Sequence, residues 1–208
     1  MKSTTVVALG IVVTVLVVLV TGCPRYTETK PEVLTVSPAA PGAQPTPAPS
    51  PAAAVLTVTS AAFQAGGTMP KKYTGDGENV APPLMWASAP AGVKEFALIC
   101  DDPDAPSGTF THWVIWGLPA TTTKLPENVA KTETVPALGD AKQGKNDADK
   151  IGYFGPAPPP GKPHHYDFTV YALDTVLDLK PGATKPDLLK AMAGHIVAKG
   201  SLTGMYGR

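Results

Sequence analysis

From residue 55 onward, apolar and polar positions alternate in short bursts separated by Gly and Pro clusters, the pattern of strands joined by turns. Four bursts read as strands: "VLTVTS" (55–60), "EFALIC" (95–100), "HWVIWGL" (112–118) and "YDFTVYAL" (166–173). The last keeps period two, with Tyr166, Phe168, Val170 and Ala172 on one side and Asp167, Thr169 and Tyr171 on the other. Extending the alternation backwards puts His164 on the Tyr166 side and His165 on the opposite one. One stretch, "TKPDLLKAMAGHIVAKGSL", changes period. Leu188, Leu189, Met192, Ile196 and the stem of Lys199 recur at helical spacing. Thr184 is the candidate N-cap, and Pro186 falls in the first turn, where it is tolerated. Between Pro119 and Ile151 no period holds, and the Gly- and charge-rich "GDAKQGKNDADKIGYFGP" reads as a long loop. The pattern predicts a mainly β, mostly antiparallel domain with a helix near its C-terminal end.

The N-terminal quarter follows different rules. "MKSTTVVALGIVVTVLVVLVTGC" has Lys2, an apolar run from Val6 to Val20 and small residues before Cys23, the layout of an export signal. The run is about fifteen residues, short of the ~20 that cross a bilayer core comfortably. "VTGC" resembles the lipobox of bacterial lipoproteins, which implies cleavage before Cys23 and lipidation, palmitate included, of that residue; the alternative is a signal anchor that stays uncut. Residues 24–54 are dominated by Pro, Ala, Thr and Ser and cannot bury enough apolar surface to offset their ordering entropy. About thirty such residues reach ~30 Å as a coil and ~90 Å as polyproline II. The organisation expected is a signal peptide (1–22), a lipidated Cys23 with a tether (23–54), and one folded domain (55–208). This places the domain in the bacterial envelope, outside the cytoplasm and near a membrane, at the periplasmic face of the outer membrane if the cell is Gram-negative.

Charge removes some functions. The chain carries 17 basic and 17 acidic residues, so no global field favours nucleic acid or another polyanion. Its two cysteines are Cys23 and Cys100. If the first carries lipid, the second has no intrachain partner, and a disulfide framework is excluded. Cys100 in "FALIC" reads as a small core residue.

The candidate chemistry begins at "DDPDAP" (101–106), which packs three carboxylates and two prolines into six positions. One Asp and one Pro suffice for a turn, so at least one carboxylate has another task. His112 opens the next strand. Gly155 to Pro163 holds five prolines and two glycines, a stiff loop that feeds into His164, His165 and Tyr166. Two imidazoles, a phenol and a carboxylate beside a rigid wall suit an anion, bound by imidazole and phenol donors. Asp102, His112 and His164 equally suit a two-His, one-carboxylate metal site, and spacing does not separate these readings. No nucleophile elbow, Walker loop or paired acid/base spacing appears, which favours binding over turnover.

These residues, in this order, resemble the signature of the phosphatidylethanolamine-binding protein family, also called Raf kinase inhibitor-like, and especially its small bacterial branch. The stretches that carry the resemblance are "YTGDGENVAPPLMW", "DDPDAP", "GTFTHWVIWGLP", "GYFGPAPPPGKPHHYDFTVYALD" and "AMAGHIVAKGSLTGMYGR". The resemblance implies a Greek-key antiparallel β-sheet domain with one or two peripheral helices. It also implies a preformed pocket for phosphate or a phospholipid head group, formed by Asp102, Pro103, Asp104 and Pro106, by His112, by Gly155, Pro156 and Pro158, and by His164 and Tyr166. On this reading Asp102 orients the histidines and Asp104 caps the turn. No cofactor, resident metal or catalytic activity is expected. A protein partner, such as an envelope protease held inhibited, is the alternative to a small ligand, and hydrolysis is a third reading. Three positions depart from the family pattern: Ala157 where relatives often have Cys, Lys162 at the rim, and His165 where Arg is usual.

Overall fold

The computed structural model describes residues 54–208. The signal peptide, Cys23 and nearly all of the tether lie outside the described residues. The elements in chain order are β1 (Ala54–Val55), β2 (Thr57–Thr59), β3 (Leu84–Ala87), β4 (Glu95–Asp102), β5 (Phe110–Pro119), β6 (Lys124–Leu125), β7 (Thr134–Val135), β8 (Ala141–Gln143), β9 (His164–Leu173), α1 (Lys185–Met192) and β10 (Ile196–Tyr206). A seven-stranded sheet runs β1-β10-β9-β4-β5-β8-β7, and a three-stranded sheet runs β2-β3-β6. All pairings are antiparallel except the short β1–β10 contact.

The large sheet is covered on both faces over β4 and β5, so these two strands are buried almost throughout rather than alternating. Strand β4 is buried from Glu95 to Cys100. Phe96, Leu98 and Cys100 join Trp113, Ile115 and the inward side of β9 in the larger core cluster, which also takes in Val58 and Trp86 of the small sheet. Ala97, Ile99, Val114 and Trp116 point to the other face, where Leu188 and Met192 of α1 cover them. Strand β9 follows the predicted alternation: Tyr166, Phe168, Val170 and Ala172 are all fully buried on one side. Cys100 is a buried free thiol, as expected.

Three expectations are corrected. The burst at 55–60 is two strands, β1 in the large sheet and β2 in the small one, parted at Leu56. The helix starts where predicted, with a capping box in which the Thr184 N–H donates to the Asp187 carboxylate (2.9 Å). It ends after two turns, however, because the chain reverses through Gly194 at φ +82°, which a glycine adopts without strain. Ile196 and Lys199 therefore belong to β10, not to the helix. The stretch 119–151, where no period holds, contains β6, β7 and β8, of which β8 falls inside the segment read as a long loop; strands of two or three residues each are too short for periodicity to reveal.

Candidate ligand-binding recess

The three carboxylates of the acidic turn leave β4 towards different places, and each meets its own base. Lys185 of α1 donates to Asp101 Oδ2 (2.6 Å) on the helix-covered face. His164 Nδ1 donates to Asp102 Oδ2 (2.8 Å), and His165 Nδ1 donates to Asp104 Oδ2 (2.6 Å). A register shift between Cys100 and Asp101 accompanies this fanning out. Three acids so close in sequence coexist because three separate cations or hydrogen-bond donors hold them. Asp102 does a second job, its Oδ1 accepting the Asp104 backbone N–H (2.8 Å). The turn is thus capped by Asp102 rather than by Asp104, whose Oδ2 also accepts the His165 backbone N–H (2.8 Å). Those two hydrogen bonds hold the Asp104 carboxyl below its ordinary range.

Asp102, His112, His164 and Tyr166 share one open recess of about 200 Å³. The acidic-turn side contributes Ala105, Pro106 and Ser107 to its lining and the proline loop Ala157, Pro158 and Pro159, and Phe110 and Phe154, 6.3 Å apart between ring centroids, complete it. Of the residues expected at the pocket, Pro106 and Pro158 thus line it together with the four polar ones. Pro103, Asp104, Gly155 and Pro156 do not. Gly155 and Pro156 work behind the wall: the Gly155 N–H donates to Asn79 Oδ1 and the Gly75 N–H to the Pro156 carbonyl, both at 2.7 Å. A Cβ on Gly155 would lie 2.7–2.9 Å from Thr74, Gly75 and Asn79, so only glycine allows this close approach. The segment 73–79 is in this way a buttress for the proline wall. Tyr153, whose hydroxyl donates to the Tyr73 carbonyl (2.7 Å), ties the two together again.

His112 is almost fully buried, with Phe110 at 4.8 Å, Phe154 stacked at 6.1 Å and Tyr166 edge-on at 5.2 Å between ring centroids. Its Nδ1 donates to the Phe154 carbonyl (2.6 Å). Burial holds its pKa below the ordinary histidine value, so the ring is neutral and Nε2 is an acceptor. This revises the expectation that both imidazoles donate. The Tyr166 hydroxyl is buried without a hydrogen-bond partner. Desolvation first, then the charge of Asp102 and a hydrogen-bonding approach to it that is longer than an ordinary hydrogen bond, push its pKa far up, which keeps it a donor. His165 faces away from the recess, as the alternation predicts. Among the described residues no group of three His, Cys, Asp or Glu side chains is placed to hold a metal, and both recess histidines have Nδ1 committed within the protein.

Sequence reasoning missed the two aromatic rings. Phe110 is legible in retrospect, two residues before His112 on the same side of β5. Phe154 has no periodic signal, since it lies in the irregular approach to the proline loop.

Comparison with known proteins agrees with this architecture. Residues 59–207 match the family model described as phosphatidylethanolamine-binding protein. A UPF0098 protein of Methanothermobacter thermautotrophicus is 50% identical over 153 residues, which cover 74% of this chain and 99% of the relative. LppC of Mycobacterium tuberculosis, named as a candidate lipoprotein, is 41% identical over 159 residues, covering 76% of this chain and 75% of LppC. The crystal structure of YbcL from E. coli, described as a new member of the mammalian PEBP family, superposes with a TM-score of 0.69 at 32% identity, covering 74% of this chain and 98% of YbcL. The acidic turn, the histidine at the head of β5 and the proline wall all fall inside the matched region, and the chain belongs to the phosphatidylethanolamine-binding protein family.

Proposed function

We propose that this protein is a lipid-anchored, extracytoplasmic binding protein whose recess takes a small phosphoryl ligand. The observation that carries the reading is the recess itself, where Asp102, His112, His164 and Tyr166 meet beside the proline loop. Tyr166 brings a phenol that burial keeps protonated, and a phenol can donate to a phosphoryl oxygen. His164, fixed through Nδ1 by Asp102, leaves Nε2 for the same ligand. The apolar walls lower the local dielectric and strengthen both contacts, and the proline loop loses little entropy when a ligand docks. Pockets for drug-sized ligands measure ~300–1,000 Å³, so a recess of about 200 Å³ suits a phosphate or a head group without acyl chains. Among the described residues that line the recess none is an activated nucleophile, which favours binding over turnover.

The envelope assignment rests on the "VTGC" segment ending at Cys23, and the description of LppC supports it. In a bacterial host, Cys23→Ser should abolish palmitate labelling and release the protein from the membrane fraction. Calorimetric titration of the full-length protein in a non-ionic detergent should show single-site saturation by inorganic phosphate and phosphoryl-ethanolamine. No heat from either ligand, with wild type and His112→Ala indistinguishable, would refute the binding reading.

A further inference from the structure

The proline wall of the recess has little behind it. Residues 156–163 hold five prolines, none of which can donate a backbone hydrogen bond. Behind the far half of the wall, Gly161 and Pro163 border a second open hollow of about 320 Å³, shared with Thr68, Met205, Tyr206 and Arg208, where packed core would otherwise stand. There the Gly161 N–H reaches the Arg208 carbonyl at a long 3.4 Å. The near half rests on the segment 73–79. The Gly75 N–H holds the Pro156 carbonyl, Asn79 holds the Gly155 N–H, and a Cβ on Gly75 would lie 3.0 Å from that of Ala157, a residue that lines the recess.

What holds the segment 73–79 in turn is Asp76. Its Oδ2 accepts from Arg208 Nε (2.7 Å) and from the Tyr206 hydroxyl (2.9 Å), and its Oδ1 accepts from Arg208 Nη2 (2.5 Å). Two parallel bonds from one planar fork fix direction as well as distance, which a point charge does not. These donors, Arg208 foremost, hold the Asp76 carboxyl down to about 2, so it is ionised at neutral and mildly acid pH. Tyr206 lies opposite His164 in the β10–β9 register. The grip on Asp76 thus comes from the strand end that flanks a recess histidine. The side chains of Arg208 and Asp76 are 38% and 23% exposed, which limits what the pair adds to global stability. Its effect is local, on the orientation of the segment that carries the wall. Neither residue lines the recess.

Resting on the reading of the recess as a ligand site, we propose that Arg208 is a positioning residue of the recess, gripping Asp76 and through it fixing the proline wall against which a ligand docks. Without the fork, Asp76 keeps the Tyr206 hydroxyl alone, the segment 73–79 can pivot, and Pro156 and Ala157 move with it. The wall must then be ordered when the ligand arrives, and the entropy of that ordering is subtracted from affinity.

The test compares wild type, Arg208→Ala, Asp76→Asn and the double variant, each as the full-length protein in a non-ionic detergent. Amide hydrogen exchange at Gly75 and Gly155 reads the wall with no ligand present. Both amides should exchange about 5-fold faster in each single variant, a size typical of side chains that act on a site from outside it. The amides of β4 and the urea midpoint should stay close to wild type, because an exposed pair adds little globally. Inorganic phosphate, followed by calorimetry, should bind each single variant about 5-fold more weakly. The double variant should be no worse than either single one, since both changes break the same contact. Wild-type exchange and affinity in the variants would overturn the proposal. Faster exchange with unchanged affinity would do so too, because the wall would then move without consequence for the ligand. A midpoint that falls together with faster exchange at every amide would also overturn it, marking a residue that only stabilises the fold. If wild type binds no phosphate, the ligand reading fails on its own, and the exchange comparison decides whether Arg208 fixes the wall.

Discussion

Two consecutive residues of β9, His164 and His165, each donate Nδ1 to an aspartate of the same acidic turn, at 2.8 and 2.6 Å. The chemistry is the same and the surroundings are not. The side chains of Asp102 and His164 are 5% and 11% exposed, while those of Asp104 and His165 are 39% and 42% exposed. Period-two alternation of a strand sends one pair inward and its neighbour outward. The inner pair loses hydration on both partners and must be complete to be tolerated; the outer pair exchanges a water contact for a protein contact and gains little. Distance alone would rank the outer pair as the stronger, and burial reverses the ranking.

The largest expected effect lies on the inner pair. Asp102→Ala removes the acceptor for His164 Nδ1 and for the Asp104 N–H together. It should destabilise the protein by about 3 kcal/mol, read as a lowered midpoint in urea denaturation, and should abolish phosphate binding. A loss below about 1 kcal/mol, the range of exposed pairs, would mean that the two pairs are equivalent and that burial is not the deciding difference.

The second effect concerns the neutral base beside that pair. Burial lowers the pKa of His112 in the folded protein from its ordinary 6.5. As pH falls below 6.5 the unfolded chain takes up this proton first, so the unfolded state gains and stability declines until the folded-state pKa is reached. Above pH 6.5 the penalty is absent. Urea midpoints measured from pH 7.5 down to 5 should therefore fall more steeply for wild type than for His112→Phe. A wild-type slope equal to that of the variant would show the ring to be as free to charge as an exposed histidine, and would erase the contrast between inner and outer positions.

The same contrast between inside and outside decides what was legible in the sequence. Strands β4, β5 and β9 announce themselves because their side chains fill the core, and the placement of His164 and Tyr166 on one side follows from counting by twos. Strand β10 hides. A Cβ on Gly200 would lie 2.0 Å from the Leu56 carbonyl oxygen, and one on Gly204 would lie 2.6 Å from Met69. Close packing there requires glycine, which removes the apolar signal of a strand. Ile196 and Lys199 then fit the helical spacing of the preceding segment by coincidence. Within the recess, residue types and order were enough to nominate Asp102, His112, His164 and Tyr166, with the family resemblance supplying the grouping. The partners that give them their properties were not legible: the Phe154 carbonyl is 42 residues from His112, and Lys185 is 84 from Asp101. Nor was the direction of His112, since a ring's donor or acceptor role is set by whatever its other nitrogen touches.

The smallest expected effect completes the comparison from its outer side. Two hydrogen bonds from His165 lower the Asp104 pKa, the backbone one foremost. A depressed carboxylate contributes stability above its unfolded pKa, near 3.8, and loses it as pH falls through the lower folded value. At neutral pH Asp104→Ala should therefore be destabilising, but by no more than about 0.5 kcal/mol, because both partners are exposed and hydrated. At neutral pH the side-chain part of that difference should shrink in 1 M salt, where the screening length is about 3 Å. Once the pH is below the folded value the two proteins should converge. Phosphate affinity should not change, since Asp104 turns away from the recess that Asp102 lines. A large loss of binding in this variant would mean that the outer pair positions β9 for the ligand, so that the two pairs act as one unit and not as neighbours divided by a strand.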